Sequence, residues 1–139
     1  MGVEFIDTNV LVYAHDASAG RKRKKAAELL LRLTNDGGGV LSVQVLNEFC
    51  VTVTRKVTRP LSLEDVHGII SDFSCWPVHE PVVADTLAAI GIARRYGLNF
   101  WDALIVRSAV VLGASIIWSE DLNAGQEYEE IIVRNPFME

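Results

Sequence analysis

Four acidic residues could act together: Asp7 directly after one apolar strand and Asp121 just after another, Asp102 at a helix start, and Glu48 within the helix after the second strand. Carboxylates brought to one place repel one another unless a cation holds them. Oxygen-only donors suit hard ions such as Mg²⁺ or Mn²⁺. An ion held this way can activate water and offset the charge that builds on a phosphodiester. Each acid also has a plainer reading. Asp7 can cap the short turn at Asn9, and Asp102 can be the N3 partner of Asn99 at a helix start. Glu48 falls opposite its helix's apolar stripe, and Asp121 lies in a loop. The four together carry the chemical reading.

The elements needed to position them follow from apolar periodicity. Residues 3–6 read as a strand ending at Asp7, and residues 9–13 as a helical turn. From Arg21 to Leu33, Ala26, Leu29, Leu30 and Leu33 share a helical face, which Gly37-Gly38-Gly39 terminates. Val40-Leu41 is a second short strand. Ser42 caps a helix with the stripe Leu46, Phe49, Cys50, Val53 and Val57. Pro60 breaks the chain, and Ser62 with Asp65 opens a helix to Phe73. A weak strand over residues 75–79 and a helix over 82–96 follow. Asn99 opens a further helix to Leu112, apolar nearly all round, with Asp102 aligned with Ile105, Val106 and Ala109. A carboxylate on that side of a buried helix needs a partner. Ser115 to Trp118 and Ile131 to Val133 are the last strands.

Strands alternating with helices imply parallel pairing with right-handed crossovers. The expected fold is an α/β/α three-layer sandwich with a mainly parallel sheet of about five strands, in one domain over residues 1–139. Such sheets place sites at the carboxyl ends of their strands. Asp7 and Asp121 both fall there.

Composition is ordinary for a globular chain of 139 residues, half of it apolar and 22% charged. No apolar run reaches the roughly 18–20 residues that span a bilayer. The start shows no signal-peptide pattern, so a cytoplasmic protein with no membrane association is expected. The net charge of −5 disfavours a protein that coats phosphates generically, but not a nuclease with an acidic centre. One basic block, Arg21-Lys22-Arg23-Lys24-Lys25, reads either as a guide for an RNA backbone or as a solvated helix start. Its charges oppose the helix dipole at that end. Cys50 and Cys75 read as buried reduced thiols. Trp76, Trp101 and Trp118 read as core residues rather than base-stacking platforms.

The segments 5–13 (FIDTNVLVY), 46–49 (LNEF), 100–105 (FWDALI) and 118–122 (WSEDL) resemble, in order and spacing, the four conserved stretches of PIN domains. The resemblance covers essentially the whole chain. A small single-domain chain of this pattern looks most like the VapC-type toxins of toxin–antitoxin pairs. The resemblance implies an endoribonuclease using Mg²⁺ or Mn²⁺. Asp7, Glu48 and Asp102 match the three core metal-binding acids, and Asp121 the more variable fourth. Asn9 and Ser119 match supporting residues of the metal-site loop. Glu120 beside Asp121 leaves open which of the two faces inward. The implied partners are an RNA substrate, a VapB-type antitoxin and a second copy of the chain in a homodimer. Two rivals differ in kind. A haloacid-dehalogenase-like phosphatase also begins with a strand ending in Asp, but wants an acid where Asn9 stands. A PIN-fold interaction domain would keep the fold and lack catalysis.

Overall fold

The computed structural model describes residues 2–138. In chain order the elements are β1 (Glu4–Ile6), α1 (Thr8–His15), α2 (Arg21–Asp36), β2 (Gly39–Ser42), α3 (Val43–Arg55), α4 (Leu63–Phe73), β3 (Val78–His79), α5 (Val83–Tyr96), α6 (Phe100–Val111), β4 (Ile116–Trp118), β5 (Glu127–Tyr128) and β6 (Ile131–Arg134). The strands form one sheet in the order β3-β2-β1-β4-β6-β5. Every pairing is parallel except the terminal β5–β6 pair. The expected five strands are all present. β5 is a sixth, too short and too polar at Glu127 to carry a strand signal of its own.

Successive strand residues point to opposite faces of a sheet. Phe5 and Ile6 are adjacent in β1 and both 0% exposed, so the sheet is covered on both sides there. All four residues of β2 are likewise buried. At β6 burial alternates, as expected where one face meets solvent. The layered α/β architecture expected from the sequence is the one observed. β1 and β4 lie side by side, although the chain visits β2 and β3 between them. The strand order reverses at that point, and a crevice opens beyond the carboxyl ends of such a pair.

Local sequence sets the helix boundaries. Ser42 Oγ accepts the Val45 N–H at the start of α3, and Ser62 Oγ accepts that of Asp65 at the start of α4. Gly37 ends α2 with φ of 79°, a left-handed conformation that glycine adopts without penalty. α1 is longer than the expected turn, because Asp7 caps it directly from the end of β1.

One buried network fixes α6 against its neighbours. His79 Nδ1 lies 2.8 Å from Ser108 Oγ, and His79 Nε2 lies 3.2 Å from Asp85 Oδ2. Arg107 Nε and the Val82 N–H also donate to Asp85. Asp85 thereby ties α5, β3 and α6 together. Its carboxyl is held below the usual range by the Val82 N–H and the Arg107 guanidinium. Ser108 is 0% exposed, so this Ser–His–Asp series is sealed from substrate and is a brace rather than a hydrolytic site.

Gly39 has a packing role. A Cβ there would stand 2.5 Å from the Trp76 ring. Gly39→Ala therefore has to displace that indole, and is expected to destabilise the protein by roughly 1–3 kcal/mol. In a Trp76→Leu background the same substitution should cost less. Urea melts of the four proteins check this, and equal costs in both backgrounds would refute the packing explanation.

Candidate active site

Asp7 follows β1 directly. Its N–H donates to Trp118 O at the end of β4, at 3.0 Å, so the first acid is pinned across the β1–β4 crevice. Its side chain is 6% exposed. Oδ1 accepts the Thr8 N–H at 2.8 Å. Oδ2 accepts from Ser119 Oγ at 2.8 Å and from Asn9 Nδ2 at 3.3 Å. The capping reading is met by this carboxylate, whose other oxygen is turned to the loop after β4.

Asn9 connects the two ends of the constellation. Nδ2 also reaches Asp121 Oδ2 at 3.2 Å and Ser119 Oγ at 3.4 Å, while Oδ1 accepts the Glu120 N–H at 3.0 Å. Ser119 is fully buried, and its Oγ accepts the N–H groups of Asp121 and Leu122. These bonds fold the loop after β4 so that Asp121 turns toward Asp7. Glu120 turns the other way. Its carboxylate accepts from the Tyr13 hydroxyl and pairs with Lys22. Burial pushes the Glu120 carboxyl up, but Lys22 and Tyr13 bring it below its ordinary value.

Asp102 lies in the first turn of α6 as expected, and its capping reading is met. Asn99 Oδ1 accepts the Asp102 N–H, and Asn99 Nδ2 donates back to Asp102 Oδ2, each at 2.9 Å. Glu48 comes from α3, where Thr8 Oγ1 donates to its Oε1 at 2.7 Å. Thr8 escaped the sequence reading. Its position beside Asp7 and the pairing of α1 with α3 are the signals that identify it.

Asp7, Glu48, Asp102 and Asp121 all line one open cleft of about 670 Å³, which also takes in Thr8 and Asn9. Burial pushes the Asp7 carboxyl up to about 6, and the charges of Asp121 and Asp102 add to the rise, against hydrogen bonds from Ser119 and Thr8. Burial also raises Asp102, with Asp121 and Glu48 contributing in the same direction. Asp7 and Asp102 thus each feel the charge of two other acids of the cleft. Among the described residues, no three Asp, Glu, His or Cys side chains stand together closely enough to hold a metal ion.

Several expectations need correction. Trp101 is not a core residue: it is 60% exposed and lines the cleft, since residue 101 points away from the apolar side of α6. Trp76 is only half-buried, and its ring packs edge-on against Phe73. Trp118 is buried as expected. Cys75 is exposed and Cys50 half-buried, so neither is the buried thiol expected. Within the basic block, Lys22 is committed to Glu120 and lies 4.9 Å from the Tyr13 ring centroid, while Arg21, Arg23 and Lys24 are exposed.

With this geometry in hand, the comparison that decides kinship is a family model. The PIN domain model matches residues 5–126. The chain belongs to the PIN-domain family. No curated protein matches this PIN domain by sequence. Solved structures share its fold at low identity. A toxin–antitoxin complex from Klebsiella pneumoniae is 15% identical with a TM-score of 0.71, covering 96% of this chain and 97% of that one. Mycobacterium tuberculosis VapC20, described as a sarcin-ricin loop cleaving toxin, is 17% identical with a TM-score of 0.67, covering 93% and 98%. DNA-bound VapBC from Salmonella typhimurium is 18% identical with a TM-score of 0.66, covering 98% and 99%.

The raised Asp7 pKa has a measurable consequence. A carboxyl whose pKa is about 6 when folded and about 4 when unfolded favours folding in its protonated form. Its contribution is fully present below the unfolded value and is lost as pH rises through the folded one. Metal-free protein should therefore lose stability from this group between about pH 4 and 6. Asp7→Asn should remove that loss and leave the metal-free protein about 1–3 kcal/mol more stable at neutral pH, after allowing for poorer bonding to Ser119. Urea melts in chelator from pH 4 to 8 test this. A mutant less stable than wild type across the whole range would refute it.

Proposed function

We propose that this PIN domain is a divalent-cation-dependent endoribonuclease acting as the toxin of a toxin–antitoxin pair. The observation that carries the reading is Asp7, a nearly buried carboxylate facing Asp102 and Asp121, with Glu48 in the same cleft. A carboxyl so costly to ionise, among other acids, fits a position next to a cation. The donor set is all oxygen, which fits Mg²⁺ or Mn²⁺ rather than a softer metal. Asp7, Glu48, Asp102 and Asp121 would hold the ion. When bound, such an ion supplies a Lewis acid for phosphoryl oxygens and a water of lowered pKa.

The chain's own residues do the positioning. Ser119 and Thr8 orient the two oxygens of Asp7. Asn9 holds Asp121 toward Asp7 and keeps the loop after β4 in place. Thr8 fixes Glu48, and Asn99 fixes Asp102. The Asn9 amide is spent on this work, and an amide cannot relay a proton, which counts against the phosphatase reading. Arg21, Arg23, Lys24 and Lys25 are proposed to guide the RNA backbone, with Lys22 serving Glu120 first.

The toxin role and a VapB-type antitoxin partner are supported by the fold shared with toxin–antitoxin proteins. A homodimer belongs to the same reading, and the exposed row Val83, Leu87 and Ile90 along α5 offers an apolar face for it. Among the described residues no helix is long and apolar enough to cross a membrane.

Two experiments test the proposal. Chelation with EDTA should abolish RNA cleavage, and Mg²⁺ or Mn²⁺ should restore it. Undiminished cleavage in excess chelator would sink the metal-dependent reading. Induced expression without an antitoxin should slow growth, and Asp7→Asn should relieve it. Equal arrest by both proteins would show that the effect is not catalytic.

A further inference from the structure

The cleft is larger than its acidic end. Its lining also takes in Gln44, Asn47 and Val51 of α3 and Lys56 at that helix's end. Trp101 is 60% and Val51 48% exposed, two large apolar side chains lining the same cleft as the carboxylates. Lys56, also exposed, is the one cation among the lining residues.

Trp101 is held in place. Gln44 Nε2, from α3, donates to the Trp101 carbonyl at 3.2 Å. The other end of that amide, Gln44 Oε1, is buried and is the one such side-chain atom without a hydrogen-bond partner among the described residues. The Phe100 ring meets the Trp101 indole edge-on, with centroids 5.1 Å apart. Backbone and ring are thus braced, while most of the indole remains in solvent.

The geometry points to Trp101 as a base-stacking platform for an unpaired nucleobase next to the phosphate being cut, with Lys56 placed for a flanking phosphate. This rests on the nuclease reading and adds a substrate feature to it. A wide indole face suits any base, because every base has a π-face. Trp101 precedes Asp102 in α6 and lines the same cleft, so a nucleotide whose phosphate meets the acids brings its neighbour's base to the indole. Bases in a duplex are already stacked and paired, so the platform selects single-stranded RNA.

The test uses Asp7→Asn protein, in which RNA is not cut, and three fluorescein-labelled probes: a short single-stranded oligoadenylate, the same strand in a duplex, and a strand of equal length made of abasic nucleotides. Trp101→Ala should weaken binding of the single strand about tenfold. Binding of the abasic strand should not change, and the duplex should bind worse than the single strand throughout. Trp101→Phe should keep most of the affinity. Mn²⁺ affinity, measured by calorimetry with Asp7 intact, should be the same with and without Trp101. Equal losses on base-bearing and abasic strands would overturn the proposal, because the effect would then not be stacking. So would unchanged RNA binding accompanied by a change in sedimentation mass, which would make Trp101 part of a protein interface. Cleavage of RNA by the unmutated protein is assayed alongside. Its absence would overturn the nuclease reading itself, whereas cleavage with no base-dependent effect of Trp101 would overturn the platform alone.

Discussion

A carboxylate at the end of the central strand, almost without access to water, is the constraint around which this protein is arranged. Asp7 cannot be there cheaply. Burial favours its neutral form, and two other acids oppose its charge. The fold meets that demand with directed hydrogen bonds from Thr8, Asn9 and Ser119. Each donor is fixed in turn by something else: Thr8 and Asn9 by α1, and Ser119 by the anchoring of the loop after β4 on β6. The β1–β4 crevice exists because the chain departs to build β2 and β3 before returning. Topology places the acid, and local hydrogen bonding makes the placement tolerable.

The same logic separates two clusters that look alike on paper. Asp85, His79 and Ser108 have the residue types of a hydrolytic triad, and Asp7, Glu48, Asp102 and Asp121 have those of a metal site. Access decides between them. The first group is sealed between α5, α6 and β3, and its polar atoms satisfy one another and Arg107. The second opens on a cleft and has carboxylates in excess of the donors that would neutralise them. Polar satisfaction marks the brace, and unmet charge marks the candidate site.

Much of this was legible in the sequence because the signals were local. Ser42, Ser62 and Asn99 announced their helices by capping, and the apolar stripes of α2 and α3 read directly as period-3.6 patterns. All four acids line the same cleft, Asp7 and Asp121 from the strand ends, Asp102 from a helix start and Glu48 from within α3. What stayed hidden depended on contacts remote in sequence. β5 is two residues long and is defined only by pairing with β6. Thr8 gains its role only when α1 meets α3. The opposite orientations of Glu120 and Asp121 depend on Tyr13, Lys22 and Asn9, all more than ninety residues away along the chain. Trp101 was misread because α6 is apolar nearly all round, and composition alone does not say which side of such a helix faces out.

The two edges of the sheet, β3 and β5, are each only two residues long. An edge strand is where another chain can extend a sheet through its backbone, and short edges are one way in which proteins prevent this. At either margin an incoming segment would find too few free amides and carbonyls to register against. Such short margins disfavour recruitment by strand addition and its commonest pathological form, edge-to-edge stacking.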